Sequence, residues 1–147
     1  QRFDLVEHSF GESKSLYFYD TEGNCVELGQ SDVAGPGVDG VFEVVFEVED
    51  IDRAQSLYEQ LGFETVDEGE NRERVRMTAG SFDIELWEPH LGLADARGGV
   101  HVDVGIETDD ADELVETVRE DVTAVTETAE GYRLRDPDGH YLTLVDS

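Results

Sequence analysis

Cysteine and long apolar runs are scarce or absent in this sequence of 147 residues. The one cysteine, Cys25, excludes an internal disulfide framework and is typical of a reducing compartment such as the cytoplasm. No apolar run approaches the length of a membrane-spanning helix, so we expect no membrane partner. A chain of this length supports one ordinary domain or slightly more.

Basic residues are also few, with 10 Lys and Arg against 37 Asp and Glu and a formal net charge of −27. Binding to nucleic acid needs clustered cations, so we expect no nucleic-acid partner. The acidic residues are spread over periodic segments, which favours a folded surface over a disordered tail. We interpret this excess as adaptation to high internal salt, where screening weakens repulsion among carboxylates, and we expect a halophilic source.

One stretch, residues 41–63, combines the two periodicities on which the chain is built. Apolar residues first alternate with acidic ones, which predicts a strand, and then follow a helical spacing. The strand positions are Phe42, Val44, Phe46 and Val48, and the helix positions are Ile51, Ala54, Leu57, Tyr58 and Leu61. Asp50 is placed to cap the helix and Gly62 to end it.

The same strand and helix return about sixty residues later. The second strand carries Val100, Val102, Val104 and Ile106, and the second helix carries Ala111, Leu114, Val115 and Val118, with Asp110 and Glu113 resembling a capping box. Three further strands follow each helix, over residues 63–67, 72–79 and 81–88, then 122–128, 131–136 and 140–146. The sequence therefore predicts an α+β fold of paired βαβββ repeats.

Residues 17–28 match residues 133–144 at a constant offset of 116, and both segments read as hairpins around an Asp–x–x–Gly turn. Residues 1–29 are therefore interpreted as the C-terminal remnant of a preceding βαβββ module, whose strand and helix would lie upstream. Residues 30–40 are predicted to be a linker, and residues 41–147 a complete two-repeat module.

With these motifs, the chain resembles the vicinal oxygen chelate superfamily, the group of glyoxalase I, extradiol dioxygenases and bleomycin resistance proteins. The resemblance rests on residues 48–52, on Tyr58 with residues 61–63, and on the two hairpins. It implies a glyoxalase-like module in which a mixed sheet forms a cup around a divalent metal, with the helices outside.

Carried onto this chain, the family's metal positions in the complete module are Glu43, Glu85, Asp103 and Thr143. The three carboxylates would suit Mg²⁺ or Mn²⁺, although the set lacks the usual histidine. The alternative is a metal-free cup, because arginines alternate along two strands and would face the same carboxylates. Those arginines are Arg72, Arg74, Arg76, Arg133 and Arg135.

In the N-terminal segment, His8, Tyr17 and Glu27 match the end of the catalytic module in extradiol dioxygenases. The resemblance implies that His8 handles protons, that Tyr17 contacts the substrate and that Glu27 binds Fe²⁺ or Mn²⁺. A site of two histidines and one carboxylate suits non-haem iron because one face stays open to substrate and oxygen. The two histidines would have to come from upstream residues.

Two functions remain open at this point. The first is a metal-dependent enzyme of the dioxygenase or glyoxalase type, acting on a small organic substrate such as a catechol. The second is a non-catalytic protein that binds a small molecule in a metal-free cup. In both cases we expect a cytoplasmic homodimer. His140 is expected to be solvated in its turn, and Cys25 to be a small packed residue.

Overall fold

The chain divides into two compact units, residues 1–40 and 41–147, in the computed structural model on which the following description rests. The structure describes residues 4–7, 14–21, 24–29, 40–41, 43–88 and 102–147. In these ranges no helix is both long and apolar enough to cross a membrane.

The described part of the N-terminal unit contains three antiparallel strands in the order β1-β2-β3: β1 at Asp4–Glu7, β2 at Lys14–Tyr19 and β3 at Cys25–Gly29. The sequence pattern predicts the β2–β3 hairpin but not β1. With only two apolar residues in four, β1 is too short to show a periodicity. Cys25 is exposed at the start of β3, so its expected packing is wrong.

The larger unit repeats one arrangement twice. The first repeat runs β4 at Glu43–Glu47, α1 at Ile51–Gln60, β5 at Glu64–Asp67, a 3₁₀ turn at Glu70–Arg72, β6 at Arg74–Thr78 and β7 at Asp83–Trp87. The second runs β8 at Asp103–Thr108, α2 at Ala111–Val118, β9 at Ala124–Glu127, β10 at Gly131–Arg135 and β11 at Tyr141–Asp146. The predicted α+β class with paired βαβββ repeats is confirmed.

Each repeat forms its own four-stranded mixed sheet, in the orders β4-β7-β6-β5 and β8-β11-β10-β9. The first strand of each repeat pairs parallel with the last, and the other pairs are antiparallel. A parallel pair needs a long crossover, and the helix between the first two strands supplies part of it. The two helices contact each other, so they also join the repeats.

The helix ends follow from their capping residues. The carboxylate of Asp50 accepts a hydrogen bond from the backbone N–H of Arg53 at 3.0 Å, and Asp110 does the same for Glu113 at 2.9 Å. Gly62 has a φ of 93°, a left-handed conformation that ends α1. Glycine adopts this conformation readily because it has no Cβ.

The core lies between each helix and the apolar face of its sheet. Phe46 and Leu57 are buried as predicted, and Val44, Val102, Val104 and Leu114 are partly buried against the same cluster. Burying side chains of this size supplies most of the favourable free energy of folding, at about 1.5–3 kcal/mol for each one. The opposite faces of the two sheets carry the polar residues.

The 3₁₀ turn changes the interpretation of Arg72, which the sequence pattern places in the polar strand. Asn71 and Arg72 both have positive φ, at 61° and 56°, and Arg72 lies outside β6. Its guanidinium donates to Glu68 and Asp52 at 2.7 Å and to Gln55 at 2.8 Å. Arg72 therefore ties the turn to α1 and offsets its backbone strain, and it does not face the carboxylates of the sheet.

Candidate functional site

The face of each sheet opposite the helix is the candidate site, and in the second sheet it is a regular grid. The paired positions form one row of Ala124, Arg135, Tyr141 and Asp103, and a parallel row of Thr126, Arg133, Thr143 and Gly105. Side chains of neighbouring strands in one row stand about 5 Å apart, so each can reach the next. Charged, aromatic and small residues therefore share one face.

In the first sheet, Glu85 is held by two donors. Arg74 donates to Oε1 at 2.6 Å and the indole N–H of Trp87 donates to Oε2 at 2.8 Å. Arg74 also pairs with Asp67 at 2.6 Å, and Arg76 lies 3.4 Å from Asp83. The side chain of Glu85 is only 12% exposed, so these contacts replace most of its hydration.

Asp103 lies on the first strand of the second sheet, where it corresponds to Glu43 and not to Glu85, and it is also held by two donors. Arg133 pairs with Oδ2 at 2.7 Å, and the hydroxyl of Thr143 donates to Oδ1 at 3.1 Å. The Arg133 guanidinium also stacks on the ring of Tyr141, with its central carbon 4.0 Å from the ring centre.

These contacts bear directly on whether a divalent metal fits. Both oxygens of Glu85 accept hydrogen bonds, from Arg74 and from Trp87. Asp103 accepts from the Thr143 hydroxyl with one oxygen and forms an ion pair with Arg133 through the other. Glu43 starts the strand beside Asp83, and the described residues contain no group of three His, Cys, Asp or Glu side chains with metal-binding geometry. As arranged, Glu85 and Asp103 are each neutralised by an arginine and are not grouped with further ligands among the described residues, so they do not fit coordination of a divalent cation.

The N-terminal hairpin brings two of the predicted site residues together. Tyr17 and Glu27 are directly opposite each other in β2 and β3, and their side chains share a hydrogen bond. Burial, followed by this bond, raises the pKa of Tyr17 well above its ordinary value, so its hydroxyl remains a donor. His8 lies outside the described residues, as do His90 and His101.

The internal hairpin match extends to the pairing register. Tyr17 faces Glu27 as Arg133 faces Thr143, which is the offset of 116 on both strands. The turn aspartates also agree. Asp20 accepts from the N–H of Asn24 at 2.8 Å, and Asp136 accepts from the N–H of His140 at 2.7 Å.

The two turns differ in their surroundings, and this the sequence pattern does not indicate. Asp136, Asp138 and His140 are all at most 2% exposed, so the predicted solvation of His140 is wrong. The His140 Nε2 atom lies 2.7 Å from the carbonyl oxygen of Glu47, and its ring contacts Phe46. A carbonyl only accepts, so this nitrogen carries the proton. The turn of the second repeat is thus inserted against the first.

Further bonds fix the inserted turn. The hydroxyl of Tyr58 donates to Asp136 at 3.1 Å, and Asp138 accepts from the N–H of Glu49 at 2.8 Å and from Arg53 at 3.0 Å. Burial raises the pKa of Asp136 above its ordinary value, and it also raises that of Tyr58. The signal that would indicate this contact is a long-range one, because the partners lie 78 to 89 residues apart.

No protein-family model matches this sequence, and no curated protein sequence does so either. Solved structures do match. Lactoylglutathione lyase from Agrobacterium tumefaciens superposes with a TM-score of 0.54 at 19% identity, over 77% of this chain and 96% of that one. TnmS3, an antibiotic-binding protein from Streptomyces sp. CB03234, gives 0.59 at 20% identity, over 76% and 98%.

A third match is a member of the glyoxalase/bleomycin resistance protein/dioxygenase superfamily from Sphaerobacter thermophilus. It gives a TM-score of 0.58 at 23% identity, over 75% of this chain and 98% of that one. Identities this low establish the fold and leave the activity to be argued from the site.

Proposed function

We propose that this chain, which has the vicinal oxygen chelate fold, binds a small organic molecule on the polar sheet faces of residues 41–147 without using a metal there. The observation that carries the proposal is the use of both oxygens of Glu85 and of Asp103 by neighbouring donors. Each of these carboxylates neutralises an arginine and holds its guanidinium in a fixed orientation.

The remaining groups on these faces suit a ligand with both apolar and polar parts. Val45 is 44% exposed and Trp87 and Tyr141 are partly buried, while Arg76 and Arg133 are each 44% exposed. Small-molecule sites commonly combine aromatic surface with a few fixed polar groups. Among the structural matches, TnmS3 is an antibiotic-binding protein and another is a bleomycin-binding protein, which supports a binding role on this fold.

Gly105 offers the sharpest test of binding on this surface. A Cβ built there meets nothing within 4 Å among the described residues, so the floor beside Thr143 is open. Gly105→Leu should fill this space with little effect on stability, because β-strands accept a branched side chain and no atom must move. We expect binding of small aromatic compounds, followed by NMR shifts in molar KCl with and without EDTA, to weaken at least about tenfold in this variant.

The control is Ser56→Leu, which adds the same side chain at an exposed position of α1 and should leave binding unchanged. Binding that requires a divalent metal, or that survives Gly105→Leu unaltered, would contradict the proposal.

A second candidate function belongs to the N-terminal unit, where the hydrogen-bonded pair Tyr17 and Glu27 favours it. In this candidate, Glu27 holds Fe²⁺ or Mn²⁺ together with groups outside the described residues, His8 moves a proton, and Tyr17 donates a hydrogen bond to the substrate. The metal would supply an open coordination face for substrate and oxygen. In this candidate, residues 1–29 are the end of a preceding βαβββ module, and the substrate is a catechol.

Metal content and catechol turnover of the full-length protein test this candidate. Glu27→Gln keeps the size of the side chain but removes its charge, so it should lose both metal and turnover. Glu43→Gln and Asp103→Asn should lose neither. Metal kept in the Glu27 variant but lost in the Glu43 or Asp103 variant would move the site to the complete module. Absence of metal in every variant and in the parent would leave only the binding function.

A further inference from the structure

We infer that Arg135 and Arg133, beside Tyr141, form a subsite for the carboxylate of a small ligand with an apolar body. The inference rests on the proposed binding function and specifies the class of ligand. It starts from the charges that the two repeats place at equivalent positions.

The two polar faces differ in the charges carried by their last strands. In the first sheet, β7 supplies Asp83 and Glu85, which pair with Arg76 and Arg74. The equivalent positions of β11 are the neutral Tyr141 and Thr143. The strands β4, β6 and β7 thus carry four carboxylates and two arginines, Glu43, Glu47, Asp83, Glu85, Arg74 and Arg76. On the polar face, the strands β8, β10 and β11 carry two carboxylates and two arginines, Asp103, Glu107, Arg133 and Arg135. Asp146 of β11 lies on the opposite face, where it accepts from the N–H of Ala111.

Because the second sheet has fewer carboxylates, one of its arginines, Arg135, is left without an ion pair among the described residues. Asp103 is taken by Arg133 at 2.7 Å, and Arg135 makes no ion pair with any residue that the structure describes. Its guanidinium instead lies 6.0 Å from the centre of the Tyr141 ring, on which Arg133 already sits at 4.0 Å. Among the described residues, which are rich in carboxylates, a partly buried arginine without an ion-pair partner is a cation available to a ligand.

The geometry favours a planar carboxylate over a simple point charge. The guanidinium groups of Arg133 and Arg135 lie around the Tyr141 ring and offer several N–H donors. The charge of Asp103 neutralises Arg133 but not Arg135. Small side chains flank the arginines on one strand edge, at Ala124 and Thr126, and the open floor at Gly105 lies beyond Thr143. An apolar body has room beside the charged group in either direction.

Net charge does not prevent such binding where salt is high. At about 1 M salt the screening length is only about 3 Å, so the distant carboxylates of this surface no longer repel an anion strongly. Contact with Arg135 is shorter-ranged and is retained. The subsite should therefore be easiest to detect in molar KCl.

Three isosteric probes test the inference: benzoate, neutral benzamide and cationic benzamidine. We measure their dissociation constants in molar KCl from the shifts of labelled backbone amides, and we expect benzoate to bind most tightly, with shifts at Ala124, Thr143 and Gly105. Arg135→Gln should weaken benzoate binding at least tenfold and leave benzamide within twofold, and Arg135→Lys should restore part of the preference. The control Arg119→Gln, which removes an exposed arginine paired with Glu116 in α2, should change nothing.

The outcomes separate this inference from the binding function. Equal binding of all three probes that is lost in Gly105→Leu would overturn the carboxylate subsite and leave the face as a binding surface. A benzoate preference that persists in Arg135→Gln would also overturn it. Failure of every probe to bind the parent protein would overturn both.

Discussion

Asp136→Ala should lower the free energy of unfolding by about 3 kcal/mol, which is the largest effect we expect from a single polar residue. The Asp136 carboxylate accepts from the N–H groups of Asp138 and His140 at 3.0 and 2.7 Å and from Tyr58 at 3.1 Å. Alanine would leave these three buried donors without an acceptor. Urea unfolding at neutral pH, monitored by circular dichroism, measures the change.

Asp136→Asn is the matched variant, because its amide oxygen can accept both N–H bonds and its NH₂ group can donate to Tyr58. It should cost less than about 1 kcal/mol. It also tests the charge. The folded pKa of Asp136 is raised above the unfolded value, so its ionisation opposes folding above that raised value, and this cost disappears as the pH falls below both. Parent and Asn variant should therefore approach each other in stability as the pH falls below the ordinary aspartate pKa of about 3.9.

Asp20 supplies the control on the turn itself. It makes the same bond to the residue four positions on, but in an exposed turn, so Asp20→Ala should cost only about 1 kcal/mol or less. Equal losses at both positions would mean that turn formation, and not burial between the repeats, determines the effect.

Transfer from molar KCl to dilute buffer should lower the melting temperature by more than about 10 °C. With a net charge of −27, unscreened repulsion among carboxylates destabilises the compact state, and molar salt shortens its range to a few ångströms. Thermal melts followed by circular dichroism across a KCl series measure this dependence.

The control replaces KCl with sucrose, which favours the folded state by exclusion from the surface but does not screen charge. Sucrose should recover only part of the lost stability. A melting temperature that does not change with KCl, or that sucrose restores fully, would remove the basis for a high-salt interpretation of the composition.

The architecture could be read from the sequence because its signals are local. The alternation at Val44 and Phe46, the capping by Asp50 and Asp110, and the Asp–x–x–Gly turns each depend on a few neighbouring residues. The 3₁₀ turn has no local signal in the sequence, because its positive φ values at Asn71 and Arg72 are accompanied by bonds from Arg72 to residues of α1 that lie 17 and 20 positions away.

The polar faces were partly predictable for the same reason. Alternation in β6 and β10 places Arg74 and Arg133 on the face of Glu85 and Asp103, and in the structure Arg74 pairs with Glu85 and Arg133 with Asp103. Which carboxylate each arginine takes depends on strand order, and that order gives Arg135 no carboxylate partner within the ranges that the structure describes. The burial of His140 could not be predicted, because its partner Glu47 lies 93 residues earlier and the turn alone is typical of the surface.

The insertion of the 136–140 turn has a consequence for the order in which the chain folds. The ribosome completes the first repeat long before it adds Asp138 and His140. Until then, the N–H of Glu49 and the carbonyl of Glu47 cannot form their bonds to these residues, which lie 89 and 93 positions later. Contacts so distant in sequence form late, because the intervening loop must close first. A nascent chain that stops before residue 136 should therefore leave the ring of Phe46 uncovered on the His140 side, where a chaperone can recognise it.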